Sequence, residues 1–277
     1  DNLWRKAILP SISHASGVWF NTSNKAKTEL LSHQYSIAKA ILKVNSMPSM
    51  VATCGELGWL SLVESLNINR ISYYSRLMNM REDRLTKIVF NELMETPNVK
   101  SFDYTERMKE LLVDKGIDFM HNNKELLSFQ TFKDFTWSKY KCDFYSDISR
   151  MSSLKYFQIK KQSTFMSTYL NTKHVPFKGI QLKFKLGTGV AGLGEDIMRQ
   201  RRGNGLCEHC GEFESLKHFI FNCNAYNGPR QRMLETLSTR IDHDMFNYFI
   251  GDPTFALYCV MGDHGDVFND CFLQFLV

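Results

Sequence analysis

The sequence lacks any long apolar run, since no stretch approaches the roughly 18 to 20 residues that a helix needs to cross a bilayer. The first residues, Asp1 to Arg5, also lack the apolar core of a signal peptide. We therefore expect a soluble, intracellular protein without membrane association. Because the chain begins with Asp1 rather than Met, we interpret it as a fragment or a processed piece of a longer protein.

Proline is scarce, with six residues, and the composition of 43% hydrophobic and 23% charged residues excludes a disordered or collagen-like chain. The seven cysteines are an odd number in a chain of 277 residues, which is long enough to bury a core without disulfides. Four of them are scattered along the sequence, at Cys54, Cys142, Cys259 and Cys271. We therefore expect no disulfide framework.

The net charge of +5 is unevenly distributed along the chain. Residues 155–202 carry ten basic and two acidic side chains, whereas residues 235–277 carry one arginine and seven acids. A concentrated positive segment is typical of proteins that bind phosphate groups. We expect phosphate contacts near the basic segment and none in the acidic one.

Hydrophobic periodicity predicts a mainly α-helical fold. Apolar residues recur at helical spacing over Lys25–Val44, Leu60–Met80, Arg84–Met94, a segment that Ser101 would cap, Thr131–Met151, Ser153–Leu170, and from Pro229 to Ile241. In contrast, Ile180 to Leu186 alternates apolar and polar residues like a short strand. Seven glycines between Gly187 and Gly211 then predict a loop-rich, separate module.

Three cysteines and one histidine in this module have the spacing of a metal site. Cys207-Glu-His-Cys210 is followed by seven residues, His218, four residues and Cys223. Thiolates and a neutral imidazole are the ligands that zinc prefers, and a two-residue gap lets the first pair bind one ion from a tight turn. We predict one structural zinc ion on these four residues. His209 is an alternative ligand, and a buried thiol at Cys223 is the alternative without metal.

Two other patterns overlap this region. A Cys-x-x-Cys pair also occurs in redox dithiols, but such pairs follow an apolar strand, whereas Arg201 to Gly205 precedes this one. Gly187-Thr-Gly189-Val-Ala-Gly192 matches the dinucleotide-binding fingerprint. However, the acid expected about 20 residues further on would be Glu208, inside the predicted metal loop. We therefore favour the zinc interpretation.

Basic and aromatic residues flank the predicted zinc site. Arginine binds phosphates through two parallel hydrogen bonds, and aromatic rings stack on unpaired bases. The candidate nucleic-acid-binding residues are Lys183, Lys185, Arg199, Arg201, Arg202, Lys217, Phe219, Tyr226 and Arg230. A solvated basic face is the alternative interpretation of the run from Arg199 to Arg202.

Several segments share motifs with one known family. They are Ile8-Leu9-Pro10 with the run to Trp19, Gln34, Met47-Pro48, Glu56-Leu-Gly-Trp-Leu-Ser-Leu62, Arg70 to Met80, Phe184-Lys-Leu-Gly-Thr188, and the Cys207 to Cys223 set with Tyr226 and Arg230. Together they resemble the C-terminal part of the polyprotein of LINE-type (non-LTR) retrotransposons, from the end of the reverse transcriptase through the thumb to a terminal zinc knuckle. His14 and Ala15 stand where the family usually has Tyr and Gly.

The resemblance implies a division of the chain into four segments. Residues 1–60 would be the end of the polymerase and a thumb-like helical region, 61–175 a helical linker domain, 176–232 a basic strand and loop with the CCHC zinc-binding module, and 233–277 an acidic helical tail. It also implies a parent protein with RNA-directed DNA polymerase activity. The implied partners are RNA, DNA and the rest of the polyprotein, in the nucleus or shuttling between cytoplasm and nucleus.

The chain itself offers no polymerase centre. The acidic neighbours Glu82-Asp83 lie on a predicted helix between Arg81 and Arg84, where no strand surrounds them. We identify no catalytic residue and expect a non-catalytic region that binds RNA and the template–primer duplex. One alternative is a domesticated protein-interaction scaffold. Another is a nuclease that uses the acids and histidine of residues 263–266.

Overall fold

The computed structural model describes residues 2–18, 23–95, 104–116, 129–161, 163–171, 176–262 and 266–277. Within these ranges the chain is mainly helical and contains no β-strand, which confirms the predicted mainly-α class. The α-helices are α1 (Leu9–Ser13), α2 (Asn24–Leu42), α3 (Met50–Glu56), α4 (Leu62–Met78), α5 (Leu85–Glu95), α6 (Tyr104–Asp114), α7 (Phe129–Arg150), α8 (Lys155–Lys160), α9 (Phe177–Thr188), α10 (Gly194–Arg199), α11 (Asn227–Arg240), α12 (His243–Gly251), α13 (Pro253–Met261) and α14 (Asp266–Phe275). No helix in these ranges is long and apolar enough to cross a membrane.

The chain divides into two compact units. Unit 1 comprises residues 1–36 and 60–143, and unit 2 comprises residues 37–59 and 144–277. The four segments expected from the sequence do not coincide with these units. In unit 2, the basic segment, the predicted metal loop and the acidic segment all contribute side chains to one hydrophobic core.

Unit 1 has a core between α4, α5 and α6. It is formed by Ile71, Tyr74, Leu77, Phe90, Tyr104, Met108 and Leu112. Two sets of hydrogen bonds fix the start of α4. The Ser61 hydroxyl accepts a hydrogen bond from the Glu64 amide at 3.2 Å, as a helix N-cap does. The buried amide of Gln34 donates to the Leu60 carbonyl and accepts from the Leu62 amide, both at 2.8 Å.

The predicted helices of the first half agree with α2, α4, α5, α6 and α7 to within about two residues at most of their ends. Ser101, the predicted cap of α6, lies outside the described residues. The acids Glu82 and Asp83 lie in a turn before α5 rather than on a helix, and Asp83 pairs with Arg81 at 2.6 Å. These acids are exposed, so the turn gives no enclosed site for a metal ion.

The strand predicted over Ile180 to Leu186 is wrong, because these residues lie inside helix α9. The buried residues of α9 include Ile180, Lys183, Phe184 and Gly187, which is helical spacing. A lysine and a glycine occupy two of these inward positions. The hydrophobic residues by themselves therefore do not show the helical period. Since α9 is a helix, the Gly187 to Gly192 pattern also lacks the preceding strand of a dinucleotide site.

The single helix predicted over Ser153–Leu170 is also wrong. Helix α8 ends at Lys160, and a short 3₁₀ turn forms only later, at Thr168–Asn171. Between them, the buried ammonium of Lys161 donates to the Phe165 carbonyl and, at 3.0 Å, to the Ser167 hydroxyl. Residues 163–167 are not helical, and the buried charge of Lys161 must keep these partners.

The acidic C-terminal segment is helical, as predicted, but it is not a separate tail. Helix α14 packs along α11 and also against α9 and α13. Cys271, Phe272 and Leu273 of α14 are buried in the same core as Leu216 and Ile220 of the predicted metal loop. Three acids of this segment, Glu235, Asp242 and Asp244, are exposed on helices that contribute to this core.

Candidate metal centre and its basic surroundings

Helix α10 leads the chain into the metal loop, which we define as residues 205–223. At its end the Arg201 amide donates to the Met198 carbonyl at 2.9 Å, and the Arg202 amide to the Ile197 carbonyl at 3.0 Å. This pair of hydrogen bonds is a Schellman turn, which places one residue in the left-handed region. Arg201 occupies that position, with φ of 57°. A non-glycine residue pays about 1 to 2 kcal/mol there.

A two-residue antiparallel contact opens the metal loop. Leu206 pairs with Phe213, and the pair is flanked by hydrogen bonds from the Cys207 amide to the Glu212 carbonyl at 2.7 Å and from the Glu214 amide to the Gly205 carbonyl at 2.9 Å. Side chains alternate across paired strands, so Cys207 faces the opposite side of this hairpin from Leu206.

The tip of the hairpin brings the first two candidate ligands together. The Gly211 amide donates to the Cys207 carbonyl at 2.9 Å, and Gly211 has φ of 73°, a conformation that favours glycine. This closed turn spans Cys207 to Cys210, as expected for a two-residue gap between thiolates that share one ion.

A π-helical turn over His218–Asn222 supplies the other two candidate ligands. The Ser215 hydroxyl accepts from the His218 amide at 3.1 Å, and the Cys223 amide donates back to the His218 carbonyl at 2.8 Å. Ile220 is fully buried and anchors the turn in the core of unit 2. The wide turn therefore presents the ring of His218 and the thiol of Cys223 to the hairpin.

The structure brings the four predicted ligands into one cluster. The ligand atoms of Cys207, Cys210, His218 and Cys223 all lie within 4.8 Å of one another. The sulfurs of Cys207 and Cys223 are 3.8 Å apart, and the Cys210 sulfur is 3.3 Å from His218 Nε2. The four residues therefore lie close enough to hold a metal ion.

The surroundings of the cluster stabilise thiolate at Cys207. Burial raises the pKa of this thiol, but hydrogen bonds from the backbone of His209 and Cys210 and from the side chains of His218 and Cys223 outweigh it and lower the pKa to about 7. Burial raises the pKa of Cys223. A thiol whose pKa is lowered toward neutrality is deprotonated at lower cost, which is the form a metal binds.

The other side of the histidine ring faces an acid that the sequence did not single out. Nδ1 of His218 lies 3.3 Å from a carboxylate oxygen of Glu212. A metal-binding histidine commonly donates its second ring N–H to a carboxylate, which fixes the ring and its tautomer. The sequence signal for Glu212 was its place between Cys210 and His218, but an exposed acid in a turn is too common to stand out.

The alternative ligand His209 is not part of the cluster. Its ring packs edge-on against Tyr226, with 5.9 Å between centroids. Tyr226 in turn packs edge-on against Phe219 at 4.7 Å, and both rings contact the core of unit 2. Phe219 and Tyr226 therefore help to pack the metal loop against the core, and each is only partly exposed to solvent.

Three of the predicted phosphate-binding residues make internal hydrogen bonds instead. Lys183 is fully buried, and its ammonium donates to the Gly262 carbonyl at 3.1 Å and to the Asn269 side chain. It therefore does not reach solvent, which is a correction to its predicted role. The error follows from the wrong strand prediction, because alternation would have placed Lys183 on the outer face.

Arg199 and Arg230 hold local backbone in place. Arg199 donates to the Gly189 carbonyl at 2.7 Å and to the Asp196 carboxylate at 2.8 Å. Arg230 donates to the carbonyls of Ile220 and Cys223 at 2.7 and 2.8 Å, and it also bonds the Asn227 side chain. Arg230 thus satisfies carbonyls at the end of the π-helical turn, next to a candidate ligand.

The remaining predicted cations face solvent. Arg201, Arg202 and Lys217 are exposed, and Lys185 is half-buried. In the part of the chain that the structure describes, the side chains of Arg201 and Arg202 make neither an ion pair nor a hydrogen bond. Arg201, Arg202 and Lys217 are therefore the exposed predicted contacts that remain available to a bound anion, and the two arginines lie directly before the metal loop.

A buried acid connects the metal loop to α8 and α10. One oxygen of Glu195 accepts from the Leu216 amide at 3.1 Å, and the other accepts from the Lys155 ammonium at 2.6 Å and the Tyr156 hydroxyl at 3.3 Å. The Gly194 amide donates to the Glu214 side chain at 2.7 Å. The metal loop is thus docked on α8 and α10, and the expectation of a separate module is not supported by its contacts.

The acids proposed for a nuclease centre, residues 263–266, fall largely outside the described residues, and only the backbone of Asp266 is described, at the start of α14.

Comparison of the chain with protein-family models, with curated protein sequences and with solved structures finds no match.

Proposed function

We propose that this chain is a non-catalytic nucleic-acid-binding region whose metal loop is held by one structural zinc ion. The observation that carries the proposal is the adjacency of a complete four-ligand cluster and two unpaired arginines, Arg201 and Arg202. Binding sites for phosphate backbones combine such cations with a rigid scaffold that fixes their positions.

The geometry of the cluster supports zinc. For tetrahedral zinc with bonds of about 2.3 Å to sulfur and 2.0 to 2.1 Å to nitrogen, ligand atoms are separated by about 3.8 Å for two sulfurs and about 3.5 Å for a sulfur and a nitrogen. Two of the separations, 3.8 Å between Cys207 and Cys223 and 3.3 Å between Cys210 and His218, are close to these values, and all four ligand atoms lie within 4.8 Å of one another. Four protein ligands leave no open position, which fits a structural ion rather than a catalytic one.

Zinc binding is tested by the number of zinc ions per molecule. Purified full chain should contain one zinc ion per molecule by elemental analysis, and cobalt substitution should give the absorption of a tetrahedral thiolate site. Replacement of Cys223 by Ser should abolish both signals, whereas replacement of the exposed Cys142 by Ser should change neither. Metal that persists in the Cys223→Ser variant would exclude this ligand set.

The test of nucleic-acid binding is its salt dependence. Fluorescence anisotropy with a structured RNA and with duplex DNA, between about 50 and 300 mM salt, should give a steep loss of affinity with salt, because each phosphate contact releases counterions. The Arg201→Ala, Arg202→Ala double variant should reduce the logarithmic salt slope by about 0.7 to 0.9 for each lost contact. Arg232→Ala, an exposed arginine of α11, is the matched control. An unchanged slope in the double variant would remove the two arginines from the site.

The resemblance to LINE-type retrotransposons extends the proposal to partners. In that setting the chain would grip RNA and the template–primer duplex beside the polymerase part of a longer polyprotein, in the nucleus or during transport to it. The proposal of nucleic-acid binding does not depend on this setting, since it rests on the metal loop and the two arginines.

A second candidate function, a protein-interaction scaffold, is favoured by one observation in unit 1. Helix α5 buries Lys87, whose ammonium donates to the Met78 carbonyl at 3.0 Å, and exposes Leu85, Ile88 and Val89. Such a helix face is typical of interaction surfaces. An Ile88→Glu, Val89→Glu variant should lose a protein partner and keep RNA affinity. Truncation of the acidic segment does not test this function, because α14 belongs to the core of unit 2.

A further inference from the structure

A second surface feature lies beside the two unpaired arginines. Four apolar side chains of α10 and the hairpin are exposed to solvent: Ile197 by 36%, Met198 by 47%, Leu206 by 47% and Phe213 by 45%. We refer to these four side chains as the apolar patch. Exposed apolar surface next to charged residues is typical of binding sites, whereas single exposed apolar residues are common and need no explanation.

Three members of the apolar patch, Met198, Leu206 and Phe213, are close to one another. Leu206 and Phe213 are directly opposite in the antiparallel contact, and the flanking hydrogen bonds make them a non-hydrogen-bonded pair, whose side chains approach most closely. A Cβ atom at Gly205 would lie 3.0 Å from Phe213 Cε2 and 3.2 Å from Met198 Cβ, so the ring lies near Met198 across the glycine. A Cβ at Gly203 would lie 2.9 Å from Ile197 Cγ2.

The cations are adjacent to this patch by backbone connection. The amides of Arg201 and Arg202 bond the carbonyls of Met198 and Ile197, so the two arginines leave the chain beside the patch. Arg201 is also held in a left-handed conformation that glycine would adopt more easily. Residues kept in such conformations cluster at ligand-binding sites, where a fixed side-chain position outweighs the free energy that the backbone conformation costs.

Several acids lie near the patch, and three of them have internal partners. Glu212 faces His218 on the metal side of the hairpin, and Glu214 accepts from the Gly194 amide. Asp196 is paired with Arg199 at 2.8 Å. The patch is therefore bordered by two arginines without a partner, by these partnered acids and by Glu208, which is exposed. The two arginines are the groups that can hold the phosphate of a ligand whose planar apolar part covers the patch.

We propose that the apolar patch binds one unpaired base of a single-stranded nucleic acid, with the base stacked on Phe213 and the neighbouring phosphates on Arg201 and Arg202. The inference rests on the proposed function and specifies its ligand. It also moves the stacking role away from Phe219 and Tyr226, whose rings are packed against the core of unit 2. Base stacking on an aromatic ring tolerates any sequence, so little base preference is expected at this position.

The proposal is tested with the zinc-loaded full chain and a short single-stranded RNA that carries 2-aminopurine. Binding of the wild type should quench the fluorescence of the base analogue. Phe213→Leu keeps an apolar side chain and removes the ring, so it should lower affinity at least about fivefold and abolish the quench. Phe213→Tyr keeps the ring and should stay within about twofold of the wild type. Phe165→Leu, at a phenylalanine that is 77% exposed outside the patch, is the matched control.

A second variant and the zinc content of each variant show whether a change in binding results from misfolding. Met198→Gln lies on α10 outside the metal loop and should weaken binding in the same direction, and all variants should keep one zinc ion. Wild-type affinity and wild-type quenching in both Phe213→Leu and Met198→Gln would overturn the base site while leaving the salt-dependent binding of the proposed function intact. No RNA binding by the wild type would refute both. A protein partner lost in Phe213→Leu, with RNA affinity unchanged, would assign the patch to protein docking and overturn the proposal.

Discussion

The imidazole of His218 lies between the metal-ligand cluster and the carboxylate of Glu212. Its Nε2 atom is 3.3 Å from the Cys210 sulfur, and its Nδ1 atom is 3.3 Å from the carboxylate. The two contacts use the two nitrogens of one ring, so an acid outside the cluster contacts the side of the candidate ligand that faces away from Cys210. Carboxylates in this position raise the basicity of the ligating nitrogen and resist rotation of the ring.

Replacement of Glu212 by Ala should therefore weaken metal binding about 10- to 100-fold without removing a ligand. Competition with a chromophoric chelator measures the change in the dissociation constant of zinc. Glu208→Ala, at an exposed acid of the same turn, serves as the control and should leave the constant unchanged. Equal affinities in the two variants would mean that Glu212 has no part in orienting His218.

The thiols give an independent count of the metal ligands. Cys54, Cys259 and Cys271 are buried, and burial raises the pKa of Cys54 to about 12 and that of Cys259 to about 11, so these thiols should be unreactive in the folded chain. Cys142 is exposed. With metal bound, a thiol reagent at neutral pH should detect one fast-reacting thiol.

Chelation should raise that count from one to four, because Cys207, Cys210 and Cys223 are released, and denaturant should raise it to seven. The Cys142→Ser variant should begin at zero and reach three after chelation. A count that chelator leaves unchanged would argue against a metal held by these cysteines.

Arg230 has a structural role that can be separated from phosphate binding. Replacement by Lys keeps the charge but cannot reproduce the paired hydrogen bonds to the Ile220 and Cys223 carbonyls. Loss of these bonds should destabilise unit 2 by about 1 to 3 kcal/mol, measured by denaturant unfolding. The salt slope of RNA binding should not change, and Arg232→Lys should change neither quantity. A reduced slope with unchanged stability would restore the predicted phosphate contact.

The fold class and the ligand set were accessible from the sequence because each rests on local spacing. Apolar residues at helical intervals predicted the helices of the first half, and the gaps between Cys207, Cys210, His218 and Cys223 predicted which residues form one cluster. Both signals are carried by residues close in sequence, so no knowledge of tertiary packing was needed.

The errors came from charged residues that tertiary contacts bury. Lys183 was predicted as a phosphate contact and Lys161 was counted in the basic segment, yet both side chains are buried and each ammonium donates to internal oxygens. The partners of Lys183 are about 80 residues away in sequence, at Gly262 and Asn269. A sum of charges over 155–202 therefore overstated the positive surface, since Lys155, Lys161, Lys183 and Arg199 are all paired internally.

The apolar patch could not be predicted from the sequence for a related reason. Phe213 follows Glu212 in a segment without clear periodicity, and only the pairing with Leu206 shows that its side chain lies on the face away from Cys207. Phe219 and Tyr226 were chosen as stacking residues because they lie near the ligands in sequence. Packing decides between these aromatic residues, and it buries the two that were chosen more than the one that was not.

Arg201 provides a direct test of whether its position is kept for binding rather than for stability. Glycine is the preferred residue at the left-handed position of a Schellman turn, so Arg201→Gly should stabilise the chain by up to about 1 kcal/mol in denaturant unfolding. The same change should reduce the logarithmic salt slope for single-stranded RNA by about 0.7, because one phosphate contact is lost. Arg202→Gly removes a neighbouring cation without relieving a strained conformation, so it should reduce the slope and give no gain in stability. If Arg201→Gly gains stability and binds RNA with the wild-type slope, the arginine is not a phosphate contact, and the left-handed conformation has no functional explanation in RNA binding.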